Sequence, residues 1–172
     1  MSDSSIAGGR GAPAVPDDPD SVAAAEEVAL RILQGAAQSA RTLRRRLHRR
    51  GFSEEAATAA TAAMIRHGYV DDAELAASIA ARGQRTGHGR IQVAAQLRAR
   101  GIDDGGVAAT LALVDPGAER AAALALATRL FDRSPADTPA LDRRRRVFGQ
   151  LQRRGFDTET AHWVLRQLER PD

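Results

Sequence analysis

The sequence has no cysteine, no lysine and few aromatic residues, which make up 3% of the 172 residues. Without Cys, disulfides and thiolate chemistry are excluded, and a metal site would have to use His and carboxylates. No apolar run reaches the 18 residues that a transmembrane helix needs. The N-terminus lacks the basic stretch and apolar run of a secretory signal. We therefore expect a cytoplasmic protein with no membrane partner.

Alanine and arginine are abundant instead. Ala favours helices and permits close packing while burying little area. Every basic residue is Arg, and the net charge of the whole chain is +3. Residues 1–21 are rich in Pro, small residues and acids, so we predict that they form a disordered tail. Without this tail and the terminal Asp172, the chain has 24 Arg and 17 acidic residues, a net charge of +7.

An internal repeat is the most informative feature of the sequence. Three segments share the pattern Leu, three further residues, Gly, a large apolar residue, then Ser or Asp, and the glycines are 50 and 54 residues apart. Self-similarity at this period is typical of stacked supersecondary units. The segments are Leu47–Ser53, Leu97–Asp103 and Leu151–Asp157.

The repeated pattern predicts a tight helix–Gly–helix corner. The Gly takes the left-handed conformation that ends one helix. Ser or Asp then caps the next helix, and the preceding Phe or Ile pairs with an apolar residue at staple spacing. No segment shows strand alternation or a hairpin signal. We predict an all-α, elongated tandem array of three three-helix repeats, with boundaries 22–69, 70–114 and 115–170.

Catalytic motifs are scarce. Asp71-Asp72 and Asp103-Asp104 are paired carboxylates, but both pairs stand where helix caps are needed. There is no phosphate loop ending in Gly-Lys and no Gly-x-Ser-x-Gly context. The segment Gly87–Arg90 weakly resembles a phosphate-binding turn, and a chain reversal between helices explains it better. We expect no enzyme activity, no cofactor, no metal and no small-molecule substrate.

The arginines are clustered at equivalent positions of the three repeats. Six cations in ten residues repel one another along a helix, so helix formation alone does not favour them. An Arg-rich solvated surface is the simplest explanation of any one cluster. Three clusters, however, would align into a stripe that suits an extended polyanion, and some of the arginines must pair with acids between repeats.

The clusters are Arg41, Arg44, Arg45, Arg46, Arg49 and Arg50; Arg82, Arg85, Arg90, Arg98 and Arg100; and Arg143, Arg144, Arg145, Arg146, Arg153 and Arg154. All but Arg46, Arg50, Arg145 and Arg154 are our predicted contact residues for a protein partner or DNA.

An ordered set of motifs resembles the RecX family of recombinase regulators. The set begins with Gly68-Tyr69-Val70-Asp71-Asp72 at the junction of repeats one and two. It continues with Gly87, Arg90-Ile91 and the Leu97–Ile102 corner. The likeness covers residues 40–112 well, and the third repeat matches by its period. We interpret Gly68, Tyr69, Asp71 and Asp72 as a structural corner, with Tyr69 packed at the junction and Asp71 or Asp72 as the cap.

The resemblance implies a function that the composition does not show. Members of the family bind the RecA recombinase filament in its groove and reduce its ATPase activity, growth and strand exchange. They also bind DNA weakly, and they have no catalytic site or cofactor. The resemblance therefore implies a role in homologous recombination, DNA repair and the SOS response.

Two other functions remain open from the residues alone. Three-helix units with a tight Gly corner resemble helix-turn-helix modules, so the chain could regulate duplex DNA without RecA. The arginines repeat without Asn or Gln at base-reading positions, which favours phosphate contact over sequence readout. A passive helical scaffold for an unrelated partner is the third possibility.

Overall fold

The computed structural model describes residues 16–135 and 137–168, and all regular structure within these ranges is α-helical, as the sequence predicts. None of these helices is both long and apolar enough to cross a membrane. The helices are α1 (Val22–Gly35), α2 (Ala40–His48), α3 (Glu54–Arg66), α4 (Asp72–Arg85), α5 (Arg90–Ala99), α6 (Asp104–Ala112), α7 (Pro116–Asp132), α8 (Ala140–Arg153) and α9 (Thr158–Leu168).

The helices form three groups of three, and each group has its own apolar core. The cores of α1–α3, α4–α6 and α7–α9 contain the equivalent leucines Leu47, Leu97 and Leu151, which are fully buried. Small residues fill much of the remaining space, for example Ala57 and Ala161, so helices approach closely. This grouping is consistent with three repeats, whose boundaries at 69/70 and 114/115 stay predictions.

The chain divides into two compact units after Val70. The first unit contains α1–α3, and the second contains α4–α9. Groups two and three therefore share one unit, and hydrogen bonds connect them within it.

The predicted corners between helices are confirmed. Gly51, Gly101 and Gly155 have φ values of +96°, +87° and +82°, which L side chains rarely adopt. After Gly51, the hydroxyl of Ser53 accepts from the backbone N–H of Ala56. After Gly101, the carboxylate of Asp103 caps α6 in the same way by accepting from the N–H of Gly106. The repeated pattern is therefore explained by local backbone geometry.

The described end of the predicted tail makes backbone contacts with the first group. Residues 1–15 of the predicted tail lie outside the described residues. Among the described ones, Pro19 accepts a hydrogen bond from the backbone N–H of Ser53 at 2.9 Å. Ser21 caps α1 by accepting from the N–H of Ala24 at 3.3 Å. Backbone contacts therefore hold the last residues of the predicted tail beside the start of α3, while α1 itself begins at Val22.

One prediction about the corner before α4 is wrong. Tyr69 is not a packed residue: it is 59% exposed, and its ring is tilted against that of His67 at 6.5 Å between centroids. Val70 enters the core in its place and is 4% exposed. Gly68 ends α3 with φ +74°, and Asp71 caps α4 by accepting from the N–H of Glu74 at 2.9 Å. Gly68, Val70 and Asp71 therefore have structural roles at this corner, and Tyr69 presents its aromatic ring at the surface.

Candidate partner-binding surfaces

The first candidate surface is a row of arginines on α2. Leu43 and Leu47 are fully buried against α1 and α3. Arg41, Arg45 and Arg49 follow one another at intervals of four residues, so they span about 80° of the helix on the side opposite those leucines. All three are exposed, and no carboxylate among the residues described here forms an ion pair with them. We call these three residues the α2 row.

The other arginines of this cluster flank the α2 row. Arg44 forms an ion pair with Glu54 at 3.4 Å, and both side chains are about half exposed. An exposed pair of this kind contributes about 0.2–1 kcal/mol, so Arg44 stays available to a partner. Arg45 and Arg46 also lie in the last turn of α2, where their charge complements the helix dipole. The cluster can therefore be tolerated in the free protein.

The second candidate surface lies on α8. Arg146 and Arg153 are exposed and seven residues apart, so they share one side of the helix. Arg144 and Arg145 are also exposed, and Arg145 lies 3.8 Å from Asp142. Arg145 is not among the predicted contact residues, but it is exposed as Arg146 and Arg153 are. We call Arg146 and Arg153 the α8 pair.

Arg143 faces the other way. It stands four residues before the buried Val147, on the same side of α8. Its guanidinium carbon lies 4.8 Å from the centroid of the Phe131 ring, and its buried Nε has no hydrogen-bond partner among the described residues. This position packs α8 against α7 and does not support the prediction that Arg143 contacts a partner.

The middle cluster is dispersed. Arg82, Arg85, Arg98 and Arg100 are all exposed, but they lie on two different helices. The Nε of Arg98 donates to Asp104 at 2.9 Å, across the corner between α5 and α6. These four arginines do not form one row comparable with that of α2. The predicted alignment of all three clusters into a stripe stays a prediction.

Arg90 is part of the junction between groups two and three. Its backbone N–H donates to one carboxylate oxygen of Glu119 at 2.8 Å, and its Nε donates to the other at 3.0 Å. Glu119 is 7% exposed. This is the pairing between repeats that the arginine excess predicts, and it removes Arg90 from the candidate surfaces.

Backbone contacts complete this junction. Gly89, which starts α5 without a side-chain cap, donates its N–H to the carbonyl of Arg154 at 2.8 Å. The N–H of Ile91 donates to the carbonyl of Gly155 at 3.0 Å. A Cβ on Gly89 would collide with the backbone of Gly155 and Phe156. The segment Gly87–Arg90 therefore serves as a chain reversal and a docking point for the third group, not as a phosphate loop.

Asp157 begins α9 beside the same junction. The backbone N–H of Thr160, which donates to its carboxylate at 2.7 Å, holds the pKa of Asp157 below its usual value. Burial opposes this effect, and the Thr160 hydroxyl, Arg90 and Arg120 add to it. The carboxylate is thus ionised wherever the protein is near neutral pH, which suits its role as a helix cap.

Sequence reasoning did not single out the arginines of α7 and the arginine that follows it. Arg120 lies 5.7 Å from the Trp163 ring centroid and donates to Glu159 at 3.0 Å, so it fixes α7 to α9. Arg129 and Arg133 lie on or just after α7, outside the repeated clusters, and they line a pocket together with Arg154. No local pattern marks Arg129 and Arg133, because only the meeting of three helix ends brings them beside Arg154.

No known protein-family model matches the chain. Several curated relatives do. The regulatory protein RecX of Mycobacterium sp. (strain JLS) is 35% identical over 152 residues, which is 84% of this chain and 83% of the relative. The regulatory protein RecX of Stenotrophomonas maltophilia (strain R551-3) is 33% identical over 138 residues, with 80% of this chain and 83% of the relative covered.

Solved structures share the fold. The crystal structure of RecX from Lactobacillus salivarius superposes with a TM-score of 0.79, at 17% identity, over 86% of this chain and 96% of the other. A second crystal structure, of a regulatory protein RecX, gives a TM-score of 0.73 over 83% of this chain and 72% of the other. The helical arrangement matches that of these proteins, and the sequence identity to the relatives above shows that the chain belongs to the RecX family of regulatory proteins.

Proposed function

We propose that the chain binds the RecA nucleoprotein filament and inhibits its ATPase activity, growth and strand exchange, and that it does so without catalysis of its own. The observation that carries this proposal is membership of the RecX family over four fifths of the chain. A cytoplasmic location follows from the proposal, because the filament assembles on cytoplasmic DNA.

The arginine surfaces suggest how binding would occur. The α2 row presents three cations that no described carboxylate pairs with, and the α8 pair presents two more on the second compact unit. A filament repeats the same acidic and phosphate groups along its length. Two weak contacts on one chain would then reinforce each other through effective concentration. The electrostatic part of this affinity should fall as salt rises.

Binding at two points also suggests a mechanism of inhibition. ATP hydrolysis and filament growth both need neighbouring protomers to move relative to one another. A ligand that favours one arrangement shifts the population toward it by its differential affinity. The chain would therefore slow turnover without touching the nucleotide.

The test is the DNA-dependent ATPase rate of RecA with increasing amounts of the full-length chain. We expect inhibition that saturates, and unchanged turnover at saturating chain would overturn the proposal. Arg45→Glu with Arg49→Glu should raise the half-inhibitory concentration about tenfold or more, which corresponds to about 1.4 kcal/mol. Arg66→Glu with Arg166→Glu is the matched control, because these residues are also exposed and lie in the last turns of α3 and α9.

Sequence-specific binding to duplex DNA is the competing function. Helix α2 exposes arginines and carries neither Asn nor Gln, the residues that read adenine in the major groove. Footprinting on duplex DNA without RecA distinguishes the two functions. Protection of a defined base sequence, together with no effect on the ATPase, would favour a DNA-binding regulator.

A further inference from the structure

The C-terminal ends of three helices meet in one pocket of the second compact unit. The pocket has a volume of about 490 Å³ and lies between the end of α4, the last turns of α7 and the corner after α8. One side is fixed by Arg154, whose Nη1 donates to the carbonyl of Thr86 at 2.9 Å. Groups two and three therefore both contribute walls.

Four arginines line this pocket: Arg85, Arg129, Arg133 and Arg154. We call it the arginine pocket. Its lining contains no carboxylate, and none of the four forms an ion pair with an acid in the described part of the chain. The Nε of Arg129 donates to the carbonyl of Ala125 on its own helix, at 3.1 Å. All four residues are exposed, so a dissolved ligand can reach them.

Helix dipoles explain only part of this charge. A helix C-terminus carries about half a negative elementary charge, and arginines near it are stabilising. Three such ends amount to less than half of the charge of four guanidinium groups. The rest of the positive charge is not balanced by any carboxylate of the pocket lining, and a bound anion would reduce the repulsion between the four guanidinium groups.

The shape of the pocket favours a compact ligand. Its volume lies within the range of about 300–1,000 Å³ that is usual for small-molecule sites. Ala122, Leu126 and Leu130 of α7 contribute apolar lining beside the arginines. A small anion with several phosphate groups can contact arginines from all three helix ends at once.

We propose that the arginine pocket binds a small polyphosphate anion, that is, a free molecule with two or more linked phosphate groups. Guanidinium groups bind phosphate oxygens with paired, charge-assisted hydrogen bonds. The ligand would bridge groups two and three and stabilise their junction. This site is separate from the α2 row and the α8 pair, and its test does not require RecA.

The test is isothermal titration of the full-length chain with inorganic tripolyphosphate at fixed ionic strength, with potassium chloride as the compensating salt. We expect saturable binding of one ligand per chain and a rise in the midpoint of thermal unfolding with ligand concentration. Arg129→Gln with Arg133→Gln should weaken binding about tenfold or more. Arg66→Gln with Arg166→Gln, the same charge change outside the pocket, should change it less than about twofold.

A second variant keeps every arginine in place. Ala125→Glu puts a carboxylate at an exposed position of the pocket wall, within a helix that tolerates Glu, and should also weaken binding. Tripolyphosphate binding no tighter than that of chloride would overturn the proposal, as would equal weakening by both double variants. The proposal also fails if the pocket variants weaken binding of a single-stranded oligonucleotide but leave tripolyphosphate binding unchanged, because the pocket would then be a nucleic-acid contact.

Discussion

Glu119 caps a helix that belongs to a different group of three. Its carboxylate accepts from the backbone N–H of Arg90 at 2.8 Å and from the Nε of the same residue at 3.0 Å. The N-cap of α5 is Gly89, which has no side chain to do this. The first turn of α5 is therefore completed by α7, and the second and third groups depend on each other for a backbone hydrogen bond.

Replacing this carboxylate should destabilise the second compact unit. Breaking a fully buried ion pair costs about 3–5 kcal/mol. Arg90 is 38% exposed, which reduces the expected cost of Glu119→Ala to about 1–3 kcal/mol. Glu119→Gln keeps an acceptor for the N–H and should cost less. Urea unfolding measures both variants.

The control for this prediction is Glu27→Ala. Glu27 and Arg31 form an ion pair at 3.5 Å on the surface of α1, and both are more than half exposed. Its loss should change the free energy of unfolding by less than about 0.5 kcal/mol. Equal effects at Glu27 and Glu119 would show that burial and the backbone contact add nothing.

Gly89→Ala should separate α5 from the third group. The added methyl group would overlap the backbone of Gly155 and Phe156, which cannot move aside as a side chain can. We expect a loss of about 1–3 kcal/mol in unfolding experiments. Gly105→Ala is the matched control: the nearest atom to its new Cβ is the Asp103 carboxylate at 3.5 Å, an ordinary contact. The free energy of unfolding of Gly105→Ala should be unchanged or higher by up to about 1 kcal/mol.

Asp157 should make the stability of α9 depend on pH. Its pKa is lowered in the folded protein, mainly by the N–H of Thr160. A lowered pKa gives a stabilisation that is complete above the unfolded value of about 3.9 and is lost as the pH falls through the folded value. Asp157→Ala should therefore cost about 1 kcal/mol at pH 7, and the difference from wild type should shrink below about pH 4.

Asp157→Asn isolates the charge in this experiment. An Asn oxygen still accepts from the N–H of Thr160, but it does not titrate in this range. Chemical unfolding at pH 7 and pH 3 compares the three proteins. If the cost of Asp157→Ala were the same at both pH values, ionisation of the carboxylate would play no part in the cap.

Local features of this fold were predictable from the sequence, and longer-range ones were not. Gly51 and Ser53 act on residues within one turn, so their types alone indicate a helix end and a cap. Arg90 and Glu119 are 29 residues apart, and nothing near either residue names its partner. Arg143 and Arg146 look alike in the sequence, yet one packs on Phe131 and the other faces solvent. The position of each arginine on the helix decides whether a partner can reach it. That position can be assigned only when it is known which face of α8 is buried.

The corner before α4 offers the sharpest separation of structure from binding. Asp71→Ala removes the acceptor for the N–H of Glu74 and should lower the free energy of unfolding by about 1 kcal/mol. Tyr69→Ala removes an exposed ring and should change the free energy of unfolding by less than about 0.5 kcal/mol.

Exposed aromatic rings are enriched at protein interfaces, so we expect Tyr69→Ala to weaken inhibition of the RecA ATPase several-fold. Asp71→Ala should leave that inhibition nearly unchanged at 25 °C. Leu141→Ala, at another exposed apolar residue, should match wild type in both assays. Loss of inhibition in Asp71→Ala alone would assign the binding role to the acidic side of the corner and exclude the aromatic ring.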